Sequence, residues 1–373
     1  MNIVYFGSMR IGRPNGPGLN ERDFVEDLDT RSGVKLYIYA PIETDCDLLL
    51  NNTVFVRNVL GTPILREIHA LIFFGLDIIR KRVRPDLLVF RVGQLPLVQS
   101  VLIIMCNAFG VATHIKTVGV GICSLSQKRG LLSKANFFLL KFIFSKVTSL
   151  DTPTKFAQRE IIKTFQIPAS KVILIGNGAK EITLVSGSDE SSRRLCFGYV
   201  GRLPCVRGGR QVVESVSRAL DLGLQAEGLI TGDENEIAEL KLLVKSLDIE
   251  DRIEFAGLVP QDEVAGLLGR IDIGFSIVEG IEGTAGQKLR QYLMHGCCAV
   301  FLNDEFMNAM DEEFILPFVS VEDLIDKIVV EDWQTRVINR EAIHQWALCN
   351  VAYSNFNSQR LRYFLGLGIT HHR

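Results

Sequence analysis

The chain has 373 residues, 47% of them hydrophobic and 23% charged, more than one ordinary domain needs and enough apolar material for two buried cores. That composition excludes a disordered chain. The net charge of −2 hides an asymmetry, because residues 1–180 carry 23 Lys and Arg against 13 Asp and Glu, and the remainder 18 against 30.

Short apolar runs at 2–6, 35–39, 86–90, 111–116 and 171–175 read as buried strands, and the periodic segments 63–82, 95–109, 131–144 and 153–165 as helices. Such alternation with short connections means a parallel sheet covered on both faces. Residues 177–194, with Gly178, Gly187 and a Ser-Asp-Glu-Ser-Ser run, interrupt it as a linker would. The alternation resumes with strands at 195–200, 228–231, 252–255, 271–276 and 298–301, helices at 208–222, 235–247, 261–269 and 287–295, and a mostly helical stretch over 321–365. The expected architecture is α/β, with two Rossmann-like, doubly wound domains at 1–178 and 195–345 joined by a linker at 179–194. A helical segment at 346–373 is expected to pack back on the first domain. Ligands of such sheets sit at the carboxyl ends of the strands, so a cleft between two facing units is the expected site.

Eight scattered cysteines form no C-x-x-C pair, so zinc and redox spacings are missing and a reducing cytosol fits. Residues 1–6 are too short for a secretory signal, and the apolar run 70–79 is broken by Asp77 and too short to span a bilayer. A cytoplasmic location follows as an expectation. The basic first half points to an anionic partner, with nucleic acid and an anionic membrane both candidates beside a plain solvated face. The interleaved aromatics and Arg-Lys clusters of nucleic-acid binders are missing there, so no nucleic-acid partner is expected. The run 137–144, flanked by Lys134 and Lys146, reads either as a peripheral contact with an anionic membrane or as a buried core helix.

Three loops carry residues suited to chemistry. The segment 7–20 is glycine-rich, with Gly16 and Gly18 just before a helix, where free backbone N–H groups attract phosphate. It does not fit the G-x-G-x-x-G dinucleotide fingerprint. The segment 199–209 places Arg202 after a strand and Arg207 just before a helix, a pair able to clamp a diphosphate and steady its charge as a leaving group. In 276–296, Glu279 and Glu282 could accept hydrogen bonds from sugar hydroxyls, and Gly283, Thr284, Ala285, Gly286 and Gln287 could present N–H groups to phosphate. Gln291 falls one turn into the helix that follows. Each loop also reads as an ordinary surface connection.

Together these segments resemble the retaining GT-B glycosyltransferases of the large family 4 group. FGYVGRLPCVRGG resembles that family's V-G-R-L-x-x-x-K-G stretch, with Arg207 in place of its Lys, and VEGIEGTAGQKLRQYLMHGC resembles its E-G…K-x-x-E-Y-M-x-x-G stretch. KVILIGNGAK resembles the linker motif ending in N-G-V-D. The resemblance implies transfer of a sugar from a nucleotide-sugar to a hydroxyl acceptor with retention, the acceptor being a lipid-linked or cell-envelope glycan. It implies that Arg202 and Arg207 hold the donor diphosphate, Gly16 and Gly18 approach it, and Glu279 or Glu282 meets the sugar. Gln291 would meet the ribose hydroxyls, and Gly257 and Val259 would line the base pocket. No cofactor and no metal are implied, the arginines supplying the positive charge. The family's paired glutamates, Glu-x7-Glu, fall here on Gly283 and Gln291, and its cleft histidine falls near Val118, four residues after His114. These departures keep open an alternative, a GT-B protein that binds a nucleotide-sugar without turnover. The Asp45-Cys46-Asp47 run resembles the metal motif of a different glycosyltransferase architecture.

Overall fold

The computed structural model describes the chain except residues 8, 13–15, 44–49, 58, 60, 93–95, 118–122, 124–129, 177, 185–193, 206–207, 261, 277–286, 303–313, 331–338 and 372–373. It divides into two compact units, Met1–Asn177 with Tyr353–Arg373, and Gly178–Ala352.

The first unit is built on β1 (Asn2–Phe6), β2 (Lys35–Tyr39), β3 (Thr53–Arg57), β4 (Leu87–Phe90), β5 (Ala112–Lys116), β6 (Ser149–Thr152) and β7 (Val172–Leu174). Among the described residues these make a parallel sheet in the order β3-β2-β1-β4-β5-β6-β7. Alternate residues of β1 enter opposite cores, as a strand's period of two requires: Val4 and Phe6 on one face, Ile3 and Tyr5 on the other. The first face is covered by α2 (Pro63–Ile79), α3 (Pro96–Ala108), α4 (Leu131–Lys146) and α5 (Lys155–Phe165), whose Phe74, Leu102, Phe144 and Phe165 fill that core. The second is covered by α1 (Gly16–Thr30), through Phe24, Val25 and Leu28. Thr62 caps α2, with Pro63 in its first turn, and Thr154 caps α5, its hydroxyl accepting from Ala157 N at 3.1 Å.

The second unit repeats the plan. Strands β8 (Leu195–Tyr199), β9 (Ala226–Thr231), β10 (Ile253–Gly257), β11 (Ile273–Phe275), β12 (Cys298–Leu302) and β13 (Ile315–Phe318) run parallel in the order β10-β9-β8-β11-β12-β13. Helices α6 (Gly209–Asp221), α7 (Glu234–Ser246), α8 (Val264–Leu268), α9 (Gln287–Met294), α10 (Val321–Val330) and α11 (Arg340–Asn350) belong to it. The last helix, α12 (Tyr353–His371), belongs to the first unit, where Tyr353 and Phe364 join the core beside α1.

The structure differs from the sequence reading in three places. Strands β3, β6 and β13 were not expected. Helix α1 starts at Gly16, so Gly16 and Gly18 form its first turn rather than a loop, with Gly12 N donating to Gly18 O at 3.1 Å. Residues 346–352 stay with the second unit, because α11 runs unbroken to Asn350 with Ile343 and Ala347 buried in that core, and Ala179 bridges Ala352. Of the two readings of the run 137–144, a core helix accounts for Leu140, Ile143 and Phe144, which are buried, and for Phe137, which stacks on Phe165 with centroids 5.5 Å apart, while Phe138 is exposed. Among the described residues no helix is long and apolar enough to cross a membrane.

Candidate functional site

Both sheets reverse their strand order beside their first strand. In the second unit the chain runs from β8 outward to β9 and β10, then returns to β11 on the other side of β8. At such a reversal the connections that leave the two strands run to opposite sides, and ligands of doubly wound sheets bind there, at the carboxyl ends of the strands.

The residues around this switch point are tied together. Val200 N, just past β8, donates to the Tyr292 hydroxyl on α9 at 2.9 Å. Gly201 N donates to Thr231 Oγ1 at the end of β9 at 2.7 Å, and that hydroxyl donates back to Gly201 O at 3.2 Å. Asp233 N donates to Arg202 O at 3.1 Å and Gly232 N to Gly257 O at 2.9 Å, joining the ends of β8, β9 and β10. Arg202 is exposed. The Lys288 ammonium lies 3.9 Å over the Tyr199 ring, close enough for a cation–π contact.

Glycines make this closeness possible. A Cβ on Gly201 would overlap Lys288 Nζ and the Tyr199 ring, and one on Gly274 of β11 would overlap the Tyr292 ring. Gly208 stands at the N-cap of α6 with φ +118°, supplying no side-chain cap. Gly209 N donates to Pro204 O at 2.6 Å, which ties the start of α6 to the loop that carries Arg202, and the N–H groups left over in a helix's first turn favour an anion.

The first unit has its own switch point between β1 and β4, where α1 begins. Behind it lies a buried charged cluster. Glu21 of α1 is fully buried and accepts from Arg91 at 2.7 Å, Lys116 at 3.3 Å and the Tyr5 hydroxyl. Burial alone would raise the Glu21 carboxyl, but Lys116, Arg91 and the Tyr5 donor outweigh it and hold it below the usual range. Burial pushes the Lys116 ammonium down to about 8 against the pull of Glu21. Lys116 Nζ also donates to the Tyr353 hydroxyl of α12 at 3.0 Å and lies 4.4 Å over the Phe24 ring. Beside it, Asp151 accepts from Arg360 of α12 at 2.6 Å and from Thr117 N at 3.0 Å. His114 is buried in β5, Nδ1 lying 2.8 Å from Ser149 Oγ and Nε2 3.6 Å from Asp151.

Of the residues singled out in the sequence, the structure brings Arg202 and Gly257 together through the Gly232–Asp233 turn, and places Gln291 one turn into α9 beside Tyr292. Val259 follows two residues after Gly257 and is half-buried. Gly16 and Gly18 open α1 in the other unit. Arg207, Glu279, Glu282, Gly283, Thr284, Ala285 and Gly286 lie outside the described residues, as do Asp45-Cys46-Asp47, Val118 and the side chain of Gln287. The sequence reading missed Lys288, Tyr199, Tyr292 and Thr231. The signal for Lys288 was a cation at the start of the helix after β11. Among the described residues no three His, Cys, Asp or Glu side chains gather as a metal site needs.

No protein-family model matches the chain. It is similar to a 2-deoxystreptamine glucosyltransferase of Streptomyces kanamyceticus, with 29% identity over 112 residues, covering 27% of this chain and 28% of that protein's length. Its fold is similar to that of Anabaena HepE in complex with UDP, with a TM-score of 0.68 and 14% identity over 98% of this chain and 100% of the other. It is equally similar to a sucrose-phosphate synthase of Thermosynechococcus elongatus, with a TM-score of 0.68 and 14% identity over 99% of each chain. Two parallel α/β units, each with its switch point, closed by a last helix that belongs to the first unit, are the GT-B fold, and that is the fold of this chain.

Proposed function

We propose that this chain is a glycosyltransferase that takes its sugar from a nucleotide-sugar. The observation that carries this is the switch point of the second sheet, where Lys288 lies over Tyr199 at the end of β8 and the exposed Arg202 follows that strand. The UDP bound to HepE, and the UDP-glucose in a further structure of that protein, support a nucleotide-sugar as the ligand.

In this reading Arg202 and Arg207 hold the donor diphosphate, aided by N–H groups of residues 283–287 and by Gly16 and Gly18 of the first unit. Gly257 and Val259 line the base, Gln291 meets the ribose hydroxyls, and Glu279 or Glu282 meets the sugar. The acceptor oxygen bonds to the anomeric carbon as its bond to the leaving phosphate breaks. The nucleoside diphosphate departs and its phosphate takes the acceptor proton, with retention. Guanidinium charge in place of a metal stabilises the leaving group. The acceptor is a lipid-linked or cell-envelope glycan, met from the cytoplasm with the protein resting on the inner face of the membrane.

A thermal-shift and titration screen against UDP, GDP, ADP and dTDP and their sugars tests the donor site, since a ligand of the folded state raises the melting temperature. Arg202→Ala should weaken the responding nucleotide roughly 10- to 100-fold, the loss of about 1.5–3 kcal/mol from a charged hydrogen bond. Equal binding by the variant would remove Arg202 from the site. A second reading, binding without turnover, is favoured by the neutral Gln291 where the resemblance calls for a glutamate. Nucleotide binding with no sugar transferred or hydrolysed would select it.

A further inference from the structure

The first unit exposes apolar stripes where surface helices ordinarily show charge. Helix α3 has no charged residue, and its outward positions are Leu97, Val101 and Ile104, spaced as one helical face and 61%, 46% and 56% exposed. Helix α2 turns Ile72, Leu76 and Ile79 outward with the same spacing, Ile79 being 72% exposed. Helix α4 begins with Leu131 and Leu132, 91% and 76% exposed, and adds Phe138 at 68%. The three helices are neighbours: α3 packs on both α2 and α4. A contiguous apolar face of this kind marks an interaction surface.

Charge says what covers it. From residue 63 to 146 the chain carries twelve Lys and Arg and three acids, Glu67, Asp77 and Asp86. Glu67 and Asp77 are buried, and Asp86 is bound by Asn2 N at 2.6 Å. Arg80, Lys81, Arg82, Arg84, Lys134 and Lys146 are all exposed. The face is thus apolar with cations at its margin and no exposed acid in the same stretch. A second copy docked on it by a two-fold axis would set cations against cations. A bilayer with anionic headgroups accepts both components, apolar side chains below the headgroups and cations at their level.

We infer that α2, α3 and the start of α4 form the face by which this protein rests on an anionic lipid bilayer, with Leu97, Val101 and Ile104 as its apolar centre. The inference rests on the membrane part of the proposed function and is independent of the donor chemistry.

Co-sedimentation with vesicles of phosphatidylcholine, alone or mixed with phosphatidylglycerol, tests it at several salt concentrations, with nucleotide binding measured on the same proteins. The full chain should bind the mixed vesicles, release as salt rises, and bind phosphatidylcholine weakly. Arg80→Gln, Lys81→Gln and Lys134→Gln together should lower partitioning about 100-fold, from about 1 kcal/mol for each cation at an anionic surface. Ile72→Glu with Ile104→Glu, both at exposed positions, should lower it at least about tenfold while melting temperature and nucleotide binding stay as in the wild type. Failure of the wild type to sediment with mixed vesicles, or undiminished binding by the glutamate variant, would overturn the inference. So would a wild-type dimer that the glutamate variant converts to monomer without any vesicle binding. Loss of nucleotide binding with vesicle binding intact would count against the donor site alone.

Discussion

Among the described residues Arg360 is the largest side chain sealed inside the protein, 1% exposed, and its removal has a calculable cost. Its Nε donates to Asp151 at 2.6 Å, and its terminal nitrogens donate to Gly176 O at 2.9 Å and Asn357 Oδ1 at 3.0 Å. Arg360→Met fills most of the volume but leaves the buried Asp151 carboxylate without its guanidinium and Gly176 O without its donor. Breaking one side of a buried ion pair costs about 3–5 kcal/mol. For a domain of this size that lowers Tm by roughly 6–20 °C, at about 2–4 °C per kcal/mol. The assay separates the units, because both tryptophans, Trp333 and Trp346, fall within Gly178–Ala352. Urea unfolding followed by far-ultraviolet circular dichroism should show an earlier transition in the variant, while the tryptophan transition stays in place. Adding Asp151→Asn should recover part of the loss, since the stranded charge is then gone. Burial would raise the Asp151 carboxyl, but Arg360 first and then His114 outweigh it and hold it well below the carboxylate range. A carboxylate depressed in the folded state stabilises it above the ordinary value and loses that contribution as pH falls. The gap between wild type and variant should therefore be full at neutral pH and shrink below about pH 4. A gap under about 1 kcal/mol, or equal shifts in both signals, would refute the reasoning.

Three further outcomes follow from the same geometry. Lys116, pushed down to about 8 by burial, is less basic folded than unfolded, so relative to Lys116→Met the wild type should gain stability as pH rises from about 8 towards 10.5; a flat difference would remove the buried ammonium from the account. Gly274→Ala drives a methyl into the Tyr292 ring and should cost about 1–3 kcal/mol by overpacking. Because the Tyr292 hydroxyl holds Val200 N, nucleotide titration should also show weaker binding, and unchanged affinity would disconnect that ring from the site. Glu254→Gln breaks an ion pair with Arg270 whose side chains are 50% and 49% exposed, so urea unfolding should move by less than about 1 kcal/mol.

The alternation of strands and helices was legible because parallel strands buried on both faces are runs such as LLVF in β4. The three unexpected strands lack that mark. β6 reads SLDT and is wholly buried, its polarity serving Arg360, Thr117 and His114, none of which is near it in sequence. β13 contains Pro317 at a sheet edge, a residue that argues against a strand. β3 is an edge strand of the first sheet. The Arg202 loop was legible because Gly201 and Gly208 punctuate it, whereas Lys288 gains meaning only when α9 brings it over Tyr199. Run 137–144 shows the limit of composition: apolarity alone does not say which way a helix faces, and the exposed apolar surface lies mostly on α2 and α3 instead.

The pairing of Asp151 with Arg360 spans 209 residues, and all of Gly178–Ala352 is made in between. On a ribosome adding about 5–20 residues per second, Asp151 waits roughly 10–40 s for its partner. The second unit, continuous in sequence, can close during that interval, whereas the first stays unfinished until α12 emerges. Assembly order thus runs against chain order, and the half-built first unit holds Asp151 without its guanidinium and a sheet face only partly covered for the whole of its neighbour's synthesis.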